Sequence, residues 1–424
     1  MENFRIESLQ ISQVGPFNAL NITFPHKENS EKAEIHILTG PNGTGKSTIL
    51  ECLISRLENA YFLKKHWNSK SDVEINYSYK GKKHSENING WVENSYPDSF
   101  FSEYLHLIRR YFEGVKFEML YLTYSGYRKI EINRGVSQSI AELQENPFNN
   151  SVDFNNSINT QQFLQWVANT ITRELIASSK KDKNRADTYR NSISIIENAI
   201  SEIIGSEIRF ILDENPLSVF VVLDNIQLNF DQLPDGLKSM MSWMGDLLMR
   251  MDRLKWVNDT PVLERNFILL LDEIEVHLHP AWQRKILPVV QKLFKNAQIF
   301  ISTHSPFVVG SVDGAWVHRF EKKDGYSVLA GPPILSEDAK SYDYILEEIF
   351  GVKERFGVEI ERKLQDFQAL KASFLAEQRQ EDAIRLHQLV KELSGQSTEL
   401  DSILGMELRQ LKRLTNQDFS LTEV

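Results

Sequence analysis

The sequence predicts an α/β fold: a mixed β-sheet lobe, a helical lobe, and a helical domain at the C-terminal end. Three observations carry this expectation. The β-branched run Glu34-Ile-His-Ile-Leu38 leads into the glycine-rich turn Gly40-Pro-Asn-Gly-Thr-Gly-Lys-Ser-Thr48, and an amphipathic helix follows over 48–57. Two further apolar runs, Phe267–Leu271 and Gln298–Ser302, deliver polar residues at their ends, Asp272-Glu273 and His304. A continuous apolar run of this length suits a central parallel strand buried on both faces. Beyond residue 338 the pattern is almost wholly helical.

The elements read in order along the chain. Residues 4–24 form two strands around a Gly15-Pro16-Phe17 turn, and 72–79 alternate as another strand. Residues 117–134 give two more, broken at Ser125-Gly126. An Asn- and Ser-rich loop spans 144–160. Helices are expected at 161–178 and 186–204, the second stopped by Gly205. Strands return at 208–213, 217–224 and 226–230, and a helix covers 236–254. After the strand at 267–271 come a helix from Ala281 to Phe294, the strand 298–302 and two short strands within 315–329. The apolar residues Phe356, Ile360, Leu364, Phe367, Leu370 and Phe374 recur at helical spacing, with a break at Ser394-Gly395, as in a helical hairpin or short bundle. There is no internal repeat.

Composition narrows the class. The 424 residues are 41% apolar, enough for a large core, and the net charge of −10 excludes a general polycation. Contact with DNA would need a local basic surface. The densest basic run is Lys180, Lys181, Lys183 and Arg185, with Arg190 nearby. It reads either as a phosphate-contacting loop or as a solvated connection between helices. The lone Cys52 suits core packing in a reducing cytoplasm. The opening residues alternate as a strand rather than a signal peptide. The longest apolar runs are too short to cross a bilayer, so a soluble, cytoplasmic chain with no membrane partner is expected.

The chemistry concentrates in four segments. Residues 40–48 match the phosphate-loop pattern G-x-x-x-x-G-K-[ST] without mismatch. Gly40, Pro41, Asn42, Gly43, Thr44, Gly45, Lys46, Ser47 and Thr48 would wrap a nucleoside triphosphate, amide N–H groups inward, at the positive end of a helix. Lys46 would reach the β- and γ-phosphates, and the Ser47 hydroxyl would ligate Mg²⁺. Asp272, at the carboxyl end of its strand, would share that Mg²⁺, while Glu273 would orient and deprotonate the attacking water. His304 would donate a hydrogen bond to the γ-phosphate. Leu233-Pro-Asp-Gly-Leu-Lys-Ser239 opens a helix, where Asp235 caps and Gly236 suits an anion site.

Together, these segments resemble the ABC-type ATPases, specifically their SMC-like branch. The resemblance implies ATP and Mg²⁺ as cofactors. It also implies that Leu233, Asp235, Gly236, Lys238 and Ser239 form a signature motif, which contacts the γ-phosphate held by the other protomer of a head-to-tail homodimer or higher homo-oligomer. The chain departs from the family at Pro234, where a serine is usual; Gly236 N–H, Lys238 or Ser239 would have to substitute. The family's glutamine after the first lobe is not evident, although Ser125 and Arg128 lie near its place.

Asp272-Glu-Ile-Glu-Val-His-Leu-His-Pro-Ala-Trp-Gln283, with Thr123-Tyr-Ser-Gly-Tyr-Arg128 and the helical tail, is similar to the ATPases of OLD-like nucleases and to the PtuA subunits of Septu defence systems. The resemblance implies an ATPase that regulates a separate nuclease, an HNH protein of PtuB type, with DNA or a retron RNA–DNA as a nucleic-acid partner. No TOPRIM carboxylate pattern follows His304 and no His-Asn-His cluster is present, so nuclease activity is expected in another chain. An SMC-like DNA-repair ATPase and the nucleotide-binding subunit of a transporter are the alternatives. The i, i+2 pair His277 and His279 raises a metal reading, against a turn that meets the other protomer. The expected organisation is an N-terminal ATPase lobe (1–135), an insertion (136–232), a lobe with the signature, Asp-Glu strand and His304 (233–335), and a C-terminal helical assembly or docking domain (336–424).

Overall fold

In the computed structural model the described residues are 4–57, 67–89, 100–109, 115–126, 130–131, 143, 146–154, 158–214, 217–337, 339–417 and 419. They fall into two compact units, Met1–Phe350 and Gly351–Val424.

The first unit opens with an antiparallel sheet. β1 (Arg5–Val14) and β2 (Phe17–Thr23) meet at the Gly15-Pro16 turn. β3 (Glu34–Thr39) is buried at all six positions and feeds the glycine loop, after which α1 runs from Lys46 to Ile54. β4 (Asp72–Tyr79) pairs with β1, and β5 (Lys82–Asn89) completes the order β2-β1-β4-β5. The sequence reading does not anticipate β5. Its residues, Lys-Lys-His-Ser-Glu-Asn-Ile-Asn, are polar but for Ile88 and half of them are exposed, as on an edge strand that lacks an apolar stripe. The legible signal lay in the turn: Lys80 and Gly81 both have positive φ, 50° and 73°, as a two-residue hairpin requires.

α2 (Phe100–Arg109) and β6 (Leu120–Tyr124) follow. The two-residue strands β7 (Ile130–Glu131) and β8 (Ile158–Asn159) pair in parallel. α3 (Thr160–Ser179) and α4 (Lys183–Ile204) form a hairpin that packs on α5 (Asp235–Arg253), α4 also touching α6 (Pro280–Leu293). Asn159 and Asp182 cap the first two of these helices through their side chains, and Gly205 (φ 81°) ends α4. Between the hairpin and α5 lies a three-stranded meander, β9 (Ile208–Glu214), β10 (Leu217–Leu223) and β11 (Ile226–Leu228).

The central sheet is completed by β12 (Phe267–Leu271), β13 (Ala297–Ser302), β14 (Trp316–Lys323) and β15 (Tyr326–Leu329), in the order β15-β14-β3-β13-β12-β6. β16 (Ile334–Leu335) pairs with β14, α7 (Pro306–Val309) lies between β13 and β14, and α8 (Tyr342–Glu348) closes the unit. From β14 to β6 every pairing is parallel. Every residue of β3, β12 and β13 is buried, which is why these strands read as unbroken apolar runs. The register sets Ser302 beside Leu38, and Leu271 beside both Ile301 and Tyr124. Four strands therefore end along one edge, where ligands bind in open α/β sheets.

The second unit is a helical bundle of α9 (Val358–Glu377), α10 (Gln380–Leu393) and α11 (Thr398–Thr415). The expected break at Ser394-Gly395 is present, and another falls at Gln378-Arg379, with Gln378 left-handed. Phe367 and Phe374 are buried with Leu386, Val390, Leu411 and Phe419; Phe356, Ile360 and Leu364 pack on Leu393, Leu400 and Leu404. The apolar stripe of α9 is thus consumed inside the bundle. Its exposed apolar residues are others: Val358, Ile384, Met406 and Leu414.

Candidate functional site

The glycine loop owes its shape to two close approaches. A Cβ on Gly40 (φ 148°) would stand 2.4 Å from the Phe320 carbonyl oxygen of β14. One on Gly45 (φ 87°) would stand 2.6 Å from the Phe17 ring and from Pro16 Cγ. Only glycine fits either place. The Phe17 ring is buried in the core against Gly45.

Lys46 is buried, and its ammonium donates to the carbonyl oxygens of Gly40 (3.0 Å) and Pro41 (3.2 Å). Burial lowers its pKa, opposed by the charges of Asp272, Glu273 and Glu275. Thr44 bonds back to the Pro41 carbonyl, closing the turn.

The carboxyl edge brings the distant motifs together. The Ser47 hydroxyl donates to Asp272 Oδ1 at 3.0 Å. The Ser302 hydroxyl also bonds Asp272 Oδ1, and its oxygen accepts the Glu273 N–H at 2.9 Å. Asp272 N–H in turn donates to the Tyr124 carbonyl of β6. Glu273 stands in left-handed backbone (φ 47°) with Gly126 against it; a Cβ on Gly126 would lie 2.6 Å from Glu273 Cβ. Burial raises the Glu273 pKa, the Asp272 charge adds to this, and Lys46 opposes it. Burial lowers the His304 pKa, with the Lys46 charge acting the same way, so its imidazole is neutral at pH 7.

Three residues here were not singled out from sequence. Glu275 Oε1 accepts the His304 N–H at 2.6 Å, pinning the segment after β13 to the segment after β12. Burial raises its pKa, while the bonds from His304 N–H and the Thr303 hydroxyl lower it. Ser302 ties Asp272 to Glu273, as above. Lys322 of β14 brings its ammonium within 3.4 Å of where a Gly43 Cβ would stand. The signal for Glu275 lay in Asp272-Glu-Ile-Glu275, a third acid two residues beyond the second; nothing in the sequence marked Lys322.

The glycine-bearing helix tip is only partly open. Leu233, Gly236 and Ser239 are buried, whereas Asp235 is exposed and Lys238 half-buried, the two joined at 3.2 Å. A Cβ on Gly236 would meet the His277 carbonyl at 2.5 Å, so the tip of α5 packs within its own chain on the turn after β12. His279 is used as the N-cap of α6, accepting the Ala281 N–H at 3.2 Å, and no cluster of three or more metal-ligating side chains exists among the described residues. Lys180, Lys181, Lys183 and Arg185 are exposed at the tip of the α3–α4 hairpin, while Arg190 pairs with Glu174 at 3.8 Å. Arg128 lies outside the described residues. Cys52 is buried in α1, its thiol pushed up by burial, as expected of a packing residue.

Family profiles match on both sides of this edge. One described as "AAA domain" covers residues 4–57, with the glycine loop, and one described as "AAA domain, putative AbiEii toxin, Type IV TA system" covers 216–310, with Asp272, Glu273 and His304. The chain is 24% identical over a 494-residue alignment to "Retron Ec83 probable ATPase" of Escherichia coli, spanning 98% of this chain and 88% of that one. Both AAA-domain matches thus fall on the segments that carry the ATPase chemistry. The chain is also 24% identical over 317 residues to "Septu protein PtuA" of Bacillus thuringiensis, spanning 72% of each chain. A solved Smc head domain with an extended coiled coil, derived from Pyrococcus furiosus, superposes with a TM-score of 0.44 at 14% identity, covering 82% of this chain and 99% of that one. In the central sheet the glycine-loop strand β3 and the Asp-Glu strand β12 flank β13, which ends two residues before His304. No helix among the described residues is long and apolar enough to cross a membrane.

Proposed function

We propose that this chain is the regulatory ATPase of an anti-phage defence complex, pairing through bound ATP and controlling a nuclease carried by another chain. The observation that carries the catalytic half is the Ser47–Asp272 hydrogen bond, which joins segments 225 residues apart at the head of α1. Two oxygen donors so placed fit a hard divalent cation, and Mg²⁺ held there would neutralise charge on the phosphates. Lys46 exchanges its two loop carbonyls for β- and γ-phosphate oxygens. Glu273, its pKa raised, takes the proton of the attacking water, and neutral His304 donates toward the γ-phosphate.

The pairing half rests on the resemblance to SMC-like ATPases and on the exposed Asp235 and half-buried Lys238 at the tip of α5. With Ser239 and Gly236 buried, Lys238 is the side chain at this tip best placed to reach a partner's phosphate. The defence assignment comes from the relatives named for Septu and retron systems. The hairpin favours it over a chromosome or repair ATPase: α3 and α4, of 20 and 22 residues, extend only about 30 Å, not as long coiled-coil arms. Its basic tip, Lys180 to Arg185, is the proposed contact for DNA or an RNA–DNA hybrid. The helical bundle 351–424, with its own core, is the proposed docking unit for the nuclease.

The deciding experiment uses Glu273→Gln. Turnover should fall by about 10²–10⁴-fold while ATP binding persists, and light scattering should show an ATP-dependent dimer. A variant that binds ATP yet stays monomeric at every concentration would refute pairing. Affinity purification from the native host, with and without residues 351–424, tests the partner; a nuclease recovered equally with both chains would refute docking through the bundle.

A further inference from the structure

Beside the glycine loop lies a second feature that the phosphate chemistry does not use. A cleft of about 520 Å³ is lined by Gly43, Gly45 and Thr48 on one wall, with Pro16, Trp67 and Asn68 among the residues of the other. No charged side chain lines it, and neither Asp272 nor Glu273 borders it. It therefore suits the uncharged end of a nucleotide rather than phosphate. Trp67 is half-buried, one side packed on the core and the rest open. Its position is fixed by the turn that follows. Asn68 N–H donates to Ser71 Oγ and Asn68 Oδ1 accepts Lys70 N–H, both at 2.8 Å, and the Ser71 hydroxyl donates to the Gln13 carbonyl of β1, two residues before the Gly15-Pro16 turn. Phe17, the aromatic residue in contact with the loop, is sealed against Gly45 and cannot serve.

We propose that this cleft receives the nucleobase and ribose of the bound nucleotide, and that Trp67 is the face on which the base stacks. The proposal rests on the phosphate-loop reading. With the γ-phosphate at Ser47 and Asp272, the α-phosphate falls toward Thr48, and the rest of the nucleotide continues into a cleft whose walls are proline, glycine and indole. A planar base gains dispersion and π contact there without needing a charged partner.

The test measures affinities of the full chain for MgATP and for magnesium tripolyphosphate, which has the phosphates but no base, by titration calorimetry. Trp67→Ala should weaken MgATP by about ten-fold and tripolyphosphate by less than about two-fold, and Trp67→Phe should restore most of the MgATP affinity. Equal losses for both ligands, or an unchanged MgATP affinity, would overturn the assignment. Lys46→Ala is run alongside: if it leaves both affinities untouched, the phosphate-loop reading itself fails and the cleft assignment falls with it, a result distinct from failure at Trp67 alone.

Discussion

Ser47 Oγ and Asp272 Oδ1 stand 3.0 Å apart. This pair predicts a metal dependence. Either Ser47→Ala or Asp272→Asn should lower the affinity for ATP in Mg²⁺ by about ten-fold or more while leaving the affinity in EDTA nearly unchanged. The double variant should be little worse than either single one, because the two residues act on one ligand. Additive losses in a double-mutant cycle would show that they serve separate purposes.

Lys46 donates to two carbonyls of its own loop, which it would exchange for phosphate oxygens in the proposed site. Lys46→Ala should reduce ATP affinity on the order of a hundred-fold, the loss of a charge-assisted contact in a buried place. Binding of radiolabelled ATP at wild-type strength would refute the assignment of the loop.

Glu275 accepts the His304 backbone N–H, and in the proposed site it serves as a positioning residue for His304. Glu275→Ala should lower kcat roughly ten-fold with little change in KM, because the His304 backbone loses its anchor. Glu275→Gln keeps an acceptor oxygen and should recover most of the rate. Equal damage from both substitutions would point to the charge of Glu275 instead of its hydrogen bond.

A buried network sets the acid limit of stability. Burial pushes the Glu34 carboxyl up, but hydrogen bonds and charge from His36 and Arg5 outweigh it and hold the pKa at about 2, below its ordinary 4.5. A depressed carboxyl stabilises the fold above its unfolded pKa and loses that contribution as pH falls toward the folded value. Stability should therefore drop between pH 4.5 and about 2, by up to roughly 3 kcal/mol from this group. In Glu34→Gln that part of the urea-unfolding profile should flatten; an unchanged slope would assign the acid transition to other groups.

Buried elements were more legible than exposed ones. Phe267–Leu271 was placed to the residue, and β3, β13 and the α3–α4 pair to within a few residues, because burial on both faces or on one helical stripe writes itself into the apolar pattern. β5 was not, since an edge strand of exposed polar residues carries no such pattern. The Gly45 and Gly40 positions were predicted for phosphate geometry; the structure adds that each is also required by a neighbouring element, Phe17 or Phe320.

By itself, the amino-acid sequence determined the chemistry: a glycine loop, a lysine and a serine at a helix start, and acids at the end of an apolar strand have few other uses. It could not decide who meets whom. That Asp272 reaches Ser47 and Ser302, that Glu275 holds His304, and that Trp67 rather than Phe17 faces the open cleft all follow from strand order and register, contacts between residues 29 to 225 positions apart for the first three. Local propensity acts over a few residues, whereas such contacts exist only once the whole parallel sheet has closed.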